Sequence, residues 1–221
     1  MASFADETAA LMPSPFVLPD EFRALFDWIE GNGWIQQYGD DWPYLQKRCA
    51  QLAEAGTALG TDVEFRVIGP VGGVDAATSE QDAETPDTKD RILPFAQIGA
   101  EGSEAAYWID EEGRQRIVML GSISGSHLGC VLTDRPVDFL RLIAIGYSEL
   151  AWADEWTEPP VPDEDDDWPV ENGPYRSWVE TTFGVTIPVT ASEIVPRPAE
   201  YGDTDTDDDF ALWLNRLRDE H

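Results

Sequence analysis

The sequence predicts an α+β core with a C-terminal helical extension, and three observations predict it. Apolar residues recur at helical spacing towards both ends of the chain. The middle third alternates apolar and polar side chains around a hairpin turn. The composition is that of a chain that folds: of 221 residues, 42% are hydrophobic and 11% aromatic, with nine Trp, nine Phe and six Tyr. A disordered acidic tail is poor in aromatics because it has no core to fill. The formal charge of −30, from 44 acidic against 14 basic residues, is therefore expected on a folded body.

Residues 1–17 are expected to form an N-terminal arm, and residues 18–152 the core. Phe22, Leu25, Phe26 and Ile29 repeat at helical spacing. Asp20 and Glu21 fall in the first turn of that helix, where acids suit the positive helix end, and Gly31-Asn32-Gly33 stops it. A short segment, Trp34 to Tyr38, follows. Tyr44, Leu45, Cys49, Leu52 and Ala53 then predict a second helix that ends before Gly56. Val63, Phe65 and Val67 alternate with Glu64 and Arg66, as in a strand. From Gly69 to Asp90 the periodicity gives way to Gly, Asp, Glu and Thr, the composition of an exposed connection. Ile92 to Phe95 opens the β-rich centre and Ala105 to Ile109 alternates. Asp110-Glu111-Glu112-Gly113 turns the chain into Arg116 to Leu120, and Leu128 to Leu132 adds another strand. Pro136 sits where a helix start tolerates it, and Val137, Leu140, Ala144, Tyr147 and Leu150 line one face.

Residues 153–172, with Pro159-Pro160, Pro162 and the acids Asp163, Glu164, Asp165, Asp166 and Asp167, read as an acidic, proline-rich linker. Residues 173–221 are expected to form the helical extension, packed on the core. Tyr175, Trp178, Val179 and Phe183 predict a helix, Val185 to Val189 is extended, and Thr190-Ala191-Ser192-Glu193 has the form of a capping box. Phe210, Trp213, Leu214 and Leu217 mark a final amphipathic helix, with Asp207, Asp208 and Asp209 at its positive end and Arg216 and Arg218 near its negative one.

The charge argues against nucleic acid and anionic membranes and favours basic partners; an acidic surface kept for solubility is the other reading. No stretch approaches the length of a membrane span. Met1 to Phe16 contains Asp6 and Glu7 and lacks the basic start and apolar run of an export signal. A cytoplasmic protein is expected, with Cys49 and Cys130 reduced and buried.

Catalytic patterns are absent from the sequence. His127, in Ser122-Ile123-Ser124-Gly125-Ser126-His127, is the one imidazole away from the C-terminus. No strand–turn–helix nucleophile motif accompanies it, and a structural or incidental role is expected. Cys49 pairs no better with it and reads as packing. Asp203, Asp205 and Asp207 occupy the first EF-hand positions, but Asp208 and Leu214 stand where Gly and Glu are needed; Asp163, Asp165 and Asp167 fail likewise at Trp168 and Pro174. The glycines form no phosphate cradle, and acids are too numerous for any pair of them to be informative. Neither enzyme activity nor a metal or cofactor is expected.

Ile92-Leu93-Pro94-Phe95-Ala96, Gly102, Ala106-Tyr107-Trp108-Ile109-Asp110, Ile117-Val118-Met119-Leu120-Gly121 and Pro136-Val137-Asp138-Phe139-Leu140 together resemble the Smi/Knr-like proteins of the SUKH superfamily. The Pro19-Asp20-Glu21-Phe22 helix ending at Asn32-Gly33, and the stretch Trp178-Val179 to Phe183-Gly184-Val185-Thr186-Ile187-Pro188, also fit. Where the family has a glycine pair before the aromatic strand, this chain has Gly102-Ser103-Glu104. The resemblance implies a central, mostly antiparallel sheet flanked by helices. It also implies an immunity protein that neutralises a cognate polymorphic toxin, often a nuclease, by stoichiometric binding; a scaffold or adaptor of the same fold is the alternative. The implied partner is a basic toxin domain, with this chain a monomer or weak dimer. Tryptophans beside acids suit such an interface: Asp40, Asp41 and Trp42; Trp152 and Trp156 beside Asp154 and Glu155; and Asp163 to Asp167 with Trp168. A core role for each tryptophan stands equally open.

Overall fold

The structure, a computed structural model, describes residues 2–37, 48–54, 57–58, 63–66, 90–161 and 173–219. Among the described residues, two helices, α1 (Phe4–Leu11) and α2 (Asp20–Gly31), precede nine strands: β1 (Ile35–Gln37), β2 (Arg48–Gln51), β3 (Ala53–Glu54), β4 (Thr57–Ala58), β5 (Glu64–Arg66), β6 (Ile92–Gln97), β7 (Glu104–Ile109), β8 (Gln115–Leu120) and β9 (Gly129–Thr133). Then come α3 (Pro136–Ile145), a 3₁₀ turn Ala153–Thr157, α4 (Gly173–Phe183), a 3₁₀ turn Ala191–Glu193 and α5 (Asp209–Asp219). Seven strands form one sheet in the order β1-β2-β5-β6-β7-β8-β9, every neighbouring pair antiparallel; β3 and β4 make a separate ribbon. The class is α+β, as the sequence predicts.

Strand alternation sorts the side chains onto two faces. Phe95, Ala105, Tyr107, Ile117, Met119, Cys130 and Leu132 enter the main core beneath α1 to α4. The intervening Ile92, Ala106, Trp108, Val118 and Leu120 enter a second apolar cluster, which Phe210, Trp213 and Leu214 of α5 close from the other side. At the centre of the main core, Phe22 of α2 meets Phe95, Tyr107 and Phe139 with ring centroids 5.1 to 5.9 Å apart, the range of favourable ring contacts.

The helix predicted around Cys49 is corrected. Tyr44 and Leu45 lie outside the described residues, and Arg48–Gln51 is strand β2, with Ala50 opposite both Ile35 and Phe65. The i, i+3, i+4 apolar spacing suits either element over so short a run; pairing on both sides satisfies the backbone and decides for the strand. Val63 to Arg66 extends as predicted, and residues 67–89 lie outside the described set.

Helix α3 starts at Pro136 and stops at Gly146, whose φ of 101° is left-handed and open to glycine. Tyr147 and Leu150 therefore lie beyond the helix on which they were expected, yet both are buried. Residues 2–17, expected as an arm, contribute α1 to the core: Phe4 is fully buried and meets Phe26 edge-on at 5.0 Å. Residues 153–158, expected at the start of the linker, form a turn that carries Trp156 inwards. Trp156 is 1% exposed, and Tyr147 Oη donates to Glu158 O at 2.7 Å while accepting from Ala191 N at 3.1 Å. Trp156 is thus a core residue and not an exposed anchor. The expected extension packs on the core: Tyr175 Oη donates to Leu140 O at 3.1 Å and Trp178 stacks on Trp28 at 5.1 Å. The capping box at Thr190 and Glu193 forms as predicted.

Candidate functional site

Helix α5 covers one half of the outer sheet face, over β6 to β9. Across β2, β5, β6 and β7 the same face turns polar, because the register aligns Gln51, Glu64, Gln97 and Glu104 in one row. Arg66 lies one row further, beside Cys49. Gln51 Nε2 donates to Glu64 Oε2 at 2.9 Å. The Arg66 guanidinium reaches both Glu64 Oε1 and Glu104 Oε1 at 3.2 Å and also donates to Gln97 Oε1. Gln97 Nε2 donates to Gly99 O at 3.0 Å. Between these groups Gln51, Glu64, Gln97 and Gly99 line a recess of about 90 Å³.

Two carboxylates share one guanidinium here, and both are largely buried. Burial pushes the Glu104 carboxyl from its ordinary 4.5 up to about 7, against the pull of Arg66. Tyr201, on the α5 side, is pushed up chiefly by its own burial and further by the nearby Cys130 and Glu104. The oxygens of the recess are engaged within the protein, Glu64 by Arg66 and Gln51, Gln97 by Arg66 and Gln51 by Gln36.

At Gly99 the row meets a corner built from three loops. Leu150 N donates to Ile98 O at 3.0 Å, and a Cβ placed on Gly99 would stand 3.0 Å from the Ala151 Cβ. Glu101 lies between Gly99 and Gly125, accepting from Ser103 N at 3.3 Å and Ser122 Oγ at 3.5 Å. From this corner Ile123 projects 46% exposed and Trp152 38% exposed. Ile123 has a φ of +63°, a conformation that is an outlier for a β-branched residue.

The predicted partner-facing residues divide. Asp154 and Glu155 are exposed next to this corner. Asp40, Asp41, Trp42, Asp163, Glu164, Asp165, Asp166, Asp167 and Trp168 lie outside the described residues. Sequence reasoning placed Glu64 and Arg66 on the polar side of a strand but missed that Gln51, Gln97 and Glu104 join them. That row exists only through pairing between strands far apart in the chain.

The remaining candidates lie elsewhere in the fold. The His127 side chain is exposed while its carbonyl accepts Tyr201 N at 2.8 Å. Cys49 and Cys130 are buried thiols, and burial pushes Cys130 well above the ordinary range. Asp208 accepts Val131 N at 2.8 Å and Ala211 N at 2.9 Å, Asp209 pairs with Arg116 at 2.7 Å, and Asp207 pairs with Arg197. Among the described residues no three His, Cys, Asp or Glu side chains are grouped to hold a metal ion, and no helix is long and apolar enough to cross a membrane. No family model matches the chain, and no curated protein or solved structure matches it at a significant level.

Proposed function

We propose that this chain is an immunity protein of the Smi/Knr-like SUKH type, acting in the cytoplasm. It would bind a cognate, basic polymorphic-toxin domain and occlude it stoichiometrically. The observation that carries the reading is a folded body of charge −30 whose sheet bears, beside an apolar half covered by α5, a polar half with the Glu64–Arg66–Glu104 network. An acidic surface complements the substrate-binding cleft of a nuclease-like toxin and accelerates encounter with it. The sequence resemblance supports the same reading.

The test begins with the neighbouring gene: an immunity gene adjoins that of a large secreted toxin. Co-expression of this chain with the toxin domain encoded there is expected to yield a one-to-one complex and to rescue growth. Separating the pair under denaturing conditions and refolding the toxin is expected to restore its activity. Permanent inactivation by a substoichiometric amount of this protein would mean catalysis and overturn the proposal.

A further inference from the structure

Strand β9 ends the seven-strand sheet, so one of its edges has no strand of that sheet beside it. The C-terminal part of the chain closes that edge. Leu128 bridges to Glu200, Gly129 N donates to Ala199 O at 3.0 Å and Tyr201 N donates to His127 O at 2.8 Å. Two residues on, a side chain does what a backbone carbonyl does at Gly129: the Asp208 carboxylate accepts Val131 N at 2.8 Å. Alternate residues of an antiparallel strand point their N–H groups to the same edge. Gly129 and Val131 are thus successive donors of the outer edge, and residues 199–208 fill both.

The closure is built into the sequence. A Cβ on Gly129 would stand 2.5 Å from the Tyr201 ring, so the strand carries glycine where the tyrosine lies against it. Tyr201 Oη donates to Gly121 O at 3.1 Å. Arg197 pairs with Asp207, and Asn215 Nδ2 of α5 donates to Asp203 O at 2.7 Å, holding the segment between them. The strand beneath has none of the protections that natural sheets place on a free edge. Gly129-Cys130-Val131-Leu132-Thr133 contains neither a charge nor a proline.

We infer that residues 199–208 are a strap that keeps the chain monomeric, by filling a β9 edge that would otherwise pair with the β9 edge of a second copy. An antiparallel pairing centred on Val131 is two-fold symmetric and closes as a dimer. Val131 of each copy would exchange its N–H and C=O with the other, and no charge would face its own copy across the five residues. One carboxylate guards more than the edge. Asp208 also accepts Ala211 N at 2.9 Å in the first turn of α5, the helix that covers Ile92, Trp108 and Val118. The charge of −30 opposes the approach of two copies, so salt favours the pairing once the strap is loosened.

The test uses the full chain carrying Asp208→Ala and Tyr201→Ala together. Phe4→Ala, in the main core, is the control for a general loss of stability. Sedimentation across a range of protein and salt concentrations reads the oligomeric state, and amide hydrogen exchange resolved by NMR reads the edge. The double variant is expected to dimerise with a dissociation constant at least about tenfold below the parent's, and more tightly as salt is raised. Its Gly129 and Val131 amides are expected to exchange faster than the parent's when dilute, and to regain protection as the dimer forms. Phe4→Ala is expected to stay as monomeric as the parent. Should the double variant not fold, Asp208→Ala alone carries the same two readouts. A variant as monomeric as the parent, a dimer that leaves the two amides unprotected, or equal dimerisation by Phe4→Ala overturns the inference.

Discussion

At the scale of single residues, two carboxyls pull the pH dependence of stability in opposite directions. Glu104 is more basic in the folded chain, about 7 against 4.5, so the native state holds its proton more tightly than the unfolded one. Its contribution is full below about pH 4.5 and is lost as the pH rises through 7, by about 3 kcal/mol. Glu104→Gln is neutral throughout, so between pH 5 and 8 its thermal midpoint is expected to decline less than the parent's. Thermal scans across that range check this, and parallel curves for the two proteins would contradict it. Asp110 behaves in the reverse sense. Burial raises its pKa, but the Arg114 backbone N–H at 2.8 Å, the Arg114 guanidinium at 2.6 Å and the Glu112 N–H at 3.0 Å outweigh burial and lower it. Its contribution is present above about pH 3.8 and is lost as the pH falls through the lowered value. Asp110→Ala orphans those donors in the hairpin turn and is expected to cost about 1–3 kcal/mol at neutral pH, read by urea titration.

At the scale of elements, α5 closes the second apolar cluster of the sheet. Its acidic start serves the fold directly, since the Asp208 carboxylate holds both a helix N–H and the β9 backbone at Val131. Asp208→Ala is expected to cost about 2 kcal/mol, a cap and a strand tie together. Trp213 lies 5.7 Å from Trp108 and stacks on Phe210 at 5.8 Å. Trp213→Ala is expected to cost about 3–5 kcal/mol and to expose the apolar half of the sheet, which increased binding of a hydrophobic dye would report. A variant as stable as the parent would show that α5 is a peripheral cover. Much of this helix was legible in sequence, because its 3.6-residue period and its terminal charges are local properties. Which sheet face it covers was not, since Phe210 and Trp213 meet Trp108 across a separation of about a hundred residues.

The whole molecule is a strongly charged body, and its association kinetics carry that signature. Raising salt from about 50 to 500 mM shortens the Debye length from roughly 14 to roughly 4 Å. Association with a basic partner is expected to slow markedly across that range, and dissociation to change less. Stopped-flow measurements separate the two rates. An association rate indifferent to salt would mean that the acidity serves solubility alone.

The sequence by itself determined what depends on neighbours in the chain. Phe22 to Ile29 declares its helix by period, the 105–120 hairpin by alternation about an acidic turn, α3 by Pro136 at its start, and Thr190 to Glu193 by its capping box. Net charge, too, is a property of composition. Tertiary structure decided what depends on pairing at a distance. Cys49 lies on a strand because Ala50 meets Ile35 and Phe65, Phe4 is core because α2 receives it, and Trp156 is buried because Tyr147 draws the chain back to it. The polar row of Gln51, Glu64, Gln97 and Glu104 belongs to the same category. Each of its residues looks like an ordinary solvent-facing strand position, and only the register of four strands sets two carboxyls against one guanidinium in a half-buried face.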